Sequence, residues 1–262
     1  MRFLPILLLG FGLACSSSTP SPRDTTSVQA PGPESALSSK TVLDLGDVTA
    51  NPTHYEWFDF RPNVKKLILA GAPETQHVAI LWYTVPDGRV PLHRHAQTEA
   101  VYVIDGAQTD GKGTYAQGTV YFNPPGSGHE ITASSGFFLL AYAAAPDFKN
   151  TSELAEYTPV RIDTTDPTSM RGASPPPAGS GVRIADIALD AAGGMSGRLI
   201  ELTLPEDRYE YVGNYLLVLD GSCQLADATL GKQSLVVTKG VTPESFQLAA
   251  AGGPCRALAV SF

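Results

Sequence analysis

From Lys40 to the C-terminus, no apolar run lasts much beyond about ten residues before a glycine, proline, aspartate or asparagine stops it. "VKKLILAG" (64–71), "HVAILWYTV" (77–85), "EAVYVID" (99–105), "GTVYFN" (118–123) and "GFFLLAYAAA" (136–145) are the clearest cases. Sustained helical periodicity is absent. Short bounded runs of this kind predict strands, and their spacing of about ten to twenty residues predicts an antiparallel sandwich or barrel. Asp105-Gly106 reads as a turn. The segment "TTDPTSMRGASPPPAGSG" (164–181) breaks the pattern and reads as a linker.

After the linker the pattern resumes with "VRIADIAL", "RLIELTL", "NYLLVLDG", "QSLVVT", "FQLAAA" and "RALAVSF". "LLVLDG" (216–221) echoes "VYVIDG" (101–106), and "RALAVSF" (256–262) echoes "FFLLAYA" (137–143). Gly118 and Gly126 flank one strand-like run much as Gly231 and Gly240 flank another. Matching order and spacing predict an internal duplication, two copies of one β unit.

The polar residues of the first copy are unevenly placed. "PLHRHAQTEAVYVIDG" (91–106) carries two of the chain's five histidines one residue apart, with a glutamate close behind. Residues two apart on a strand share a face, so His93 and His95 point the same way. Glu99 has the same parity and joins them after a bend at 96–98. Charge set against an apolar strand is costly unless compensated, and a metal ion is the first candidate. Two imidazoles and a carboxylate suit a borderline divalent ion such as Fe, Mn, Zn, Ni or Cu. "GTVYFNPPGSGHE" supplies a fourth ligand, His129, beyond a Pro-Gly turn. His54 and His77 fall outside this pattern and read as ordinary solvent or core histidines.

These segments resemble the two motifs of the cupin superfamily of RmlC-like jelly rolls. Residues 88–106 resemble G-x5-H-x-H-x3-E-x6-G, with one residue fewer between Gly88 and His93. Residues 118–129 resemble G-x5-P-x-G-x2-H through Gly118, Pro124, Gly126 and His129, with Ala133 in place of the closing Asn. Within the superfamily, residues 106–142 are most similar to the ChrR-type (anti-sigma-factor) branch. The resemblance implies an all-β chain of two cupin jelly-roll β-barrel domains, a bicupin, the second degenerate. It implies a metal held by His93, His95, Glu99 and His129 inside an apolar funnel. Trp82, Tyr102, Tyr121, Phe122, Phe138 and Tyr142 are candidates for the funnel's lining, beside an ordinary packing role. In the second copy Arg208, Glu210 and Asn214 stand where His93, His95 and Glu99 stand in the first, and Pro243 falls near the place of His129. That copy is expected to bind no metal and to be structural.

Four protein ligands on an ion that accepts five or six leave open positions for water, oxygen or substrate. The first expectation is therefore a metal-dependent, dioxygenase-like enzyme acting on a small molecule, with Glu99 as ligand or as base. The alternative is a non-catalytic binding or sensing module. A storage or structural role fits an intact ligand set poorly. ChrR-type proteins also carry a separate zinc-containing, sigma-binding domain, and no such His and Cys cluster stands in this chain. Histidine ligates only when neutral, so the metal should be lost below about pH 6.

The N-terminus, "MRFLPILLLGFGLAC", has a positive start, an apolar core and a small residue before Cys15, which reads as an export signal. Its "GLAC" end is similar to a bacterial lipobox, with Gly12 where Leu is usual, and implies acylation of Cys15. An ordinary cleaved signal is the other reading. The Ser-, Thr- and Pro-rich stretch that follows is expected to be a disordered tether. The boundaries are then 1–15 signal, 16–40 tether, 41–160 metal-binding domain, 161–181 linker and 182–262 second domain. Formal net charge is −8, which argues against nucleic acid. Removing Arg2 with the signal makes it −9 (−8 − 1). The expected partners are a small-molecule ligand and a membrane reached through the lipid alone, at the bacterial cell envelope; a homodimer is also open. With Cys15 acylated, Cys223 and Cys255 remain, either as a disulfide or as two buried thiols.

Overall fold

A computed structural model describes residues 37–170, 173–174 and 176–262. The expected signal, the lipidation of Cys15 and the tether up to residue 36 lie outside the described residues. The tether's expected end does not stay loose: Leu37 to Ser39 form a turn and Lys40 begins a strand.

The described chain is nearly all β. Its strands are β1 (Lys40–Asp44), β2 (Phe58–Arg61), β3 (Val64–Gly71), β4 (His77–Tyr83), β5 (Val90–Arg94) and β6 (Glu99–Asp110). There follow β7 (Gly113–Ala116), β8 (Thr119–Asn123), β9 (Gly128–Ile131), β10 (Ala133–Tyr142) and β11 (Val160–Asp163). The later part holds β12 (Val182–Ile187), β13 (Ser196–Leu202), β14 (Arg208–Gly213), β15 (Tyr215–Leu225), β16 (Ala228–Leu230), β17 (Ser234–Thr238) and β18 (Glu244–Ser261). One helix, α1 (Leu45–Ala50), follows β1; the Asp44 carboxylate caps it by accepting from the Gly46 and Asp47 amides.

The duplication is visible in the strand order. One sheet runs β11-β8-β6-β10-β4-β3-β2, with β7 on β6. The other runs β1-β17-β15-β18-β13-β12, with β16 on β15 and β14 on β18. Position for position, β8, β6, β10, β4 and β3 correspond to β17, β15, β18, β13 and β12. The small β5–β9 sheet of the first copy corresponds to β14 paired on the first part of β18. At one end of each sheet the edge strand comes from outside the repeat it completes. β11 lies between the copies and closes the first sheet on β8, whereas β1 precedes the first copy and closes the second sheet on β17.

Strand parity divides the apolar side chains among three cores. On β6, Val101 and Val103 face the first barrel's interior with Tyr83, Tyr121, Phe138 and Leu140. Ala100, Tyr102 and Ile104 face the opposite way and pack on Leu217, Leu258 and Val260 of the second sheet. The second barrel's interior holds Leu216, Val218, Phe246 and the bonded pair Cys223–Cys255. Sheets covered on both faces explain why "AVYVI" and "FFLLAY" are apolar throughout rather than alternating.

Two local expectations are corrected. Asp105-Gly106 is no turn: β6 runs through it as a bulge against β10, with Gly106 at φ 79° and its pairing partner Gly136 at φ 93°. A Cβ on Gly106 would lie 2.1 Å from the Ser135 carbonyl oxygen, so glycine is there for a close backbone approach. The hairpin reverses instead between Asp110 and Gly113, where the Asp110 carboxylate accepts from the Lys112 and Gly113 amides. The stretch 164–181 is only partly a linker. Thr164 and Met170 are buried, and Met170 belongs to the core between the sheets.

Candidate metal centre

The two motifs meet through β5 and β9. These strands pair antiparallel with His93 opposite His129 and Arg94 opposite Gly128. Backbone bonds continue past their ends: the His95 amide donates to the Ser127 carbonyl, and the Gly126 amide to that of His95. Gly126 takes φ 78° in the turn that reverses the chain, which is why a glycine follows Pro125 there. Glu99 enters from the adjoining sheet as the first residue of β6, paired with Asn123 on β8.

One ligand atom from each of His93, His95, Glu99 and His129 lies within 4.8 Å of every other. All four residues are buried. Among the described residues this is the one group of His, Cys, Asp and Glu side chains gathered closely enough to hold an ion. Each histidine is held by its other nitrogen. His93 Nδ1 donates to the Pro91 carbonyl at 2.9 Å, His95 Nδ1 meets Ser127 Oγ at 3.1 Å, and His129 Nδ1 donates to Asp110 Oδ2 at 2.7 Å. All three Nε2 atoms are thereby left for the centre. Glu99 Oε2 lies 3.3 Å from His95 Nε2 and 3.6 Å from His129 Nε2, and accepts from Asn123 Nδ2 at 2.7 Å. The buried His95 Nε2 makes no hydrogen bond of normal geometry. Three inward imidazole nitrogens, one of them an orphaned buried acceptor, and one carboxylate fit a borderline divalent ion.

The electrostatics agree with that fit. Burial, reinforced by the neighbouring imidazoles, depresses His93 to about 3. Burial likewise depresses His95 to about 4 against the pull of Glu99, so both rings are neutral and competent to ligate. Burial works against charge on His129 too, yet its hydrogen bonds to Asp110 and Glu99 outweigh that and raise it to about 9. Burial likewise pushes Glu99 upward, but His95 and the hydrogen bond with His129 hold it well below the usual carboxylate range. The cluster's proton therefore resides on His129. An incoming ion would replace the Nε2 proton while Asp110 keeps Nδ1–H and orients the ring.

Asp110, Asn123 and Ser127 complete the site and have no place in the sequence expectation. Asp110 gives only a turn signal in "TDGKG", and its bond to His129 depends on folding β6 and β9 together.

The centre opens on a narrow cavity lined among others by Tyr83, Gln108, Leu140 and Tyr142, with a free volume of about 10 Å³, roughly one water. Of the aromatic side chains expected to line a funnel, Tyr142 alone borders this cavity. Tyr121 and Phe138 pack deeper in the same barrel, and Trp82, Tyr102 and Phe122 face the other sheet. The reason is parity: even-numbered positions on β4, on β8 and on β6 before its bulge point out of the barrel. Phe60 and Phe148 cap the cavity, with the Arg61 guanidinium over their rings at 4.3 and 4.1 Å. Phe148 is fixed over His93, 5.1 Å between ring centres, by reciprocal backbone bonds between Arg94 and Asp147.

The second copy holds no comparable set. Arg208 and Glu210 are exposed. Asn214 is buried, but its amide is spent on the Val241 carbonyl and the Phe262 amide. Cys223, which aligns with the cavity-lining Gln108, is bonded to Cys255 within the second barrel's apolar core. His54 is exposed, and His77 is a fully buried core residue bonded to Lys66.

Comparison with known proteins agrees in fold. Residues 45–144 match the family model described as the ChrR Cupin-like domain. No curated protein sequence matches the chain. Salicylate 1,2-dioxygenase from Pseudoaminobacter salicylatoxidans, solved with gentisate, superposes with TM-score 0.58 at 13% identity, covering 89% of this chain and 83% of that one. A cupin 2 conserved barrel domain protein from Leptotrichia buccalis gives TM-score 0.53 at 12% identity, covering 87% and 97% respectively.

Proposed function

We propose that this chain, whose residues 45–144 match a ChrR-type cupin-like domain, is an exported bicupin with one metal centre that acts on a small molecule. The carrying observation is the convergence of His93, His95, Glu99 and His129, each histidine pinned through Nδ1 so that Nε2 faces the others. A bound divalent ion would supply Lewis acidity and open positions beside the four protein ligands. The protein's own contribution is to keep His93 and His95 unprotonated, to move a proton at His129 Nε2 and to exclude water with the Phe60–Phe148 cap. Glu99, held by Asn123, is the candidate base as well as a ligand. Dioxygenase-like chemistry is favoured because a similar barrel belongs to an enzyme named as a dioxygenase and solved with gentisate.

The intramolecular disulfide and the signal-like N-terminus both support an oxidising compartment, and Cys15 is the proposed lipid attachment site. On this reading the second barrel is a filled, metal-free copy whose sheet buries the outer face of the first.

The second reading, a sensing or ligand-binding cupin without turnover, is favoured by the smallness of the cavity. Elemental analysis of the purified full chain tests the centre: near one divalent ion per chain is expected, and a folded His129→Ala variant should lose it. Oxygen uptake on a panel of dihydroxy- and hydroxybenzoates should accompany the metal if the protein is a dioxygenase. Metal with ligand-induced stabilisation but no uptake would select the second reading, and absence of metal from protein prepared without chelator would sink both.

A further inference from the structure

Beyond the Phe60–Phe148 cap lies a groove of about 470 Å³ whose walls include Phe58, Phe60, Arg61, Lys66, Pro146 and Phe148. Lys66 is its unusual member. The residue is 1% exposed, yet its ammonium has a single hydrogen-bond partner, the His77 Nε2 at 2.8 Å. His77 Nδ1 donates to the Thr75 carbonyl, so Nε2 is an acceptor and the imidazole is neutral. The remaining contacts of the ammonium are the rings of Phe60 at 4.6 Å and Tyr142 at 5.0 Å. Among the described residues no carboxylate lies within ion-pair distance of it; the anions that act on it from further off are the buried Glu99 and the exposed Glu74. Asp59 of the same groove is engaged by Lys65 at 3.0 Å, and Glu74 is exposed. A buried cation without an ion-paired partner is costly, and this one stands in the wall of a groove beside a second cation, Arg61, with only the more distant pull of Glu99 and Glu74 to offset it.

We propose that this groove binds a small organic carboxylate, its acid group received by Lys66 and Arg61 and its apolar body lying against Phe60 and Phe148. Phe60 and Phe148 line both the groove and the inner cavity, so a molecule anchored here stands at the entrance to the metal centre. As the substrate class of that centre the carboxylate rests on the function proposed above; as a binding site it stands without it.

Calorimetric titration of benzoate and of its neutral isostere benzamide into the metal-stripped full chain at pH 7 is the test. Benzoate should bind at least about tenfold more tightly than benzamide, since hydrogen bonds to charged groups carry that discrimination. Lys66→Met, which exchanges the ammonium for an apolar side chain of similar length and whose folding is checked by thermal melting, should lose about tenfold in benzoate affinity and little for benzamide. Arg61→Gln should lose less. Equal affinity for the two probes, or benzoate binding unchanged in Lys66→Met, would overturn the site, as would binding that returns only with metal and is indifferent to Lys66. Lys66-dependent benzoate binding in a protein that takes up no metal would leave this site standing and remove the metal-dependent function.

Discussion

His129 is the side chain at which proton and metal compete. Its folded value, raised to about 9, means the ring is protonated across neutral pH, whereas ligation needs it neutral. Metal affinity, measured against a chromophoric chelator, should therefore rise about tenfold per pH unit from about 7 to 9 and then level off. In metal-free protein the same proton acts in the opposite sense. A raised value contributes stability that is complete below the ordinary histidine range near 6.5 and is lost as pH rises through about 9. Replacing Asp110 with Asn keeps an acceptor for Nδ1–H but removes its charge. Asp110→Asn should shift the pH dependence of metal binding downward and weaken metal affinity roughly 10- to 100-fold, the usual effect of losing a ligand's orienting carboxylate. The four central residues were legible in sequence because strand parity and two spaced motifs fix them locally. Asp110, Asn123 and Ser127 were not, because each acts on a residue 19 to 32 positions away through pairing that a linear reading does not contain.

At the scale of the element, the sheets are governed by where the backbone can approach itself. Gly106 and Gly221 stand at the same point of the two copies, at φ 79° and 70°, each facing a carbonyl about 2 Å from where a Cβ would sit. Gly106→Ala should cost on the order of 2–4 kcal/mol, from left-handed strain plus the displaced β10 backbone, read as a lowered midpoint in urea. Strand existence was well signalled: β3 and β12 begin where their apolar runs begin, and β3 ends where its run ends. What misled was punctuation. Asp105-Gly106 looked like a turn and is a bulge. "FQLAAA" and "RALAVSF", separated by "GGPC", looked like two strands and form the single β18. Neighbours hold that strand on either side of a bulge: β14 and β15 pair it up to Ala249 and Ala250 respectively, and β15 and β13 pair it again from Cys255. The breakers make an irregularity rather than an end because the ladder resumes beyond them, and sequence alone does not show the ladder.

For the whole molecule, stability is shared between a filled barrel, a barrel with a polar centre and the apolar layer between them. The disulfide staples the filled barrel across 32 residues. Reduction should lower unfolding free energy by about 2–4 kcal/mol, measured by denaturation with and without a reductant strong enough to reach a buried bond. Metal should be retained through the native baseline, since the cysteines lie in the other barrel. The exchange of edge strands carries a further consequence. Lys40 is paired with Thr238, so β1 is among the first described residues to leave the ribosome and waits for a partner made near the end. Throughout synthesis that edge stays bare, open to any passing strand. The last stage of assembly is a clasp: the tail of the polypeptide reaches back for its head, and neither half can be cut away without leaving its sibling unhemmed.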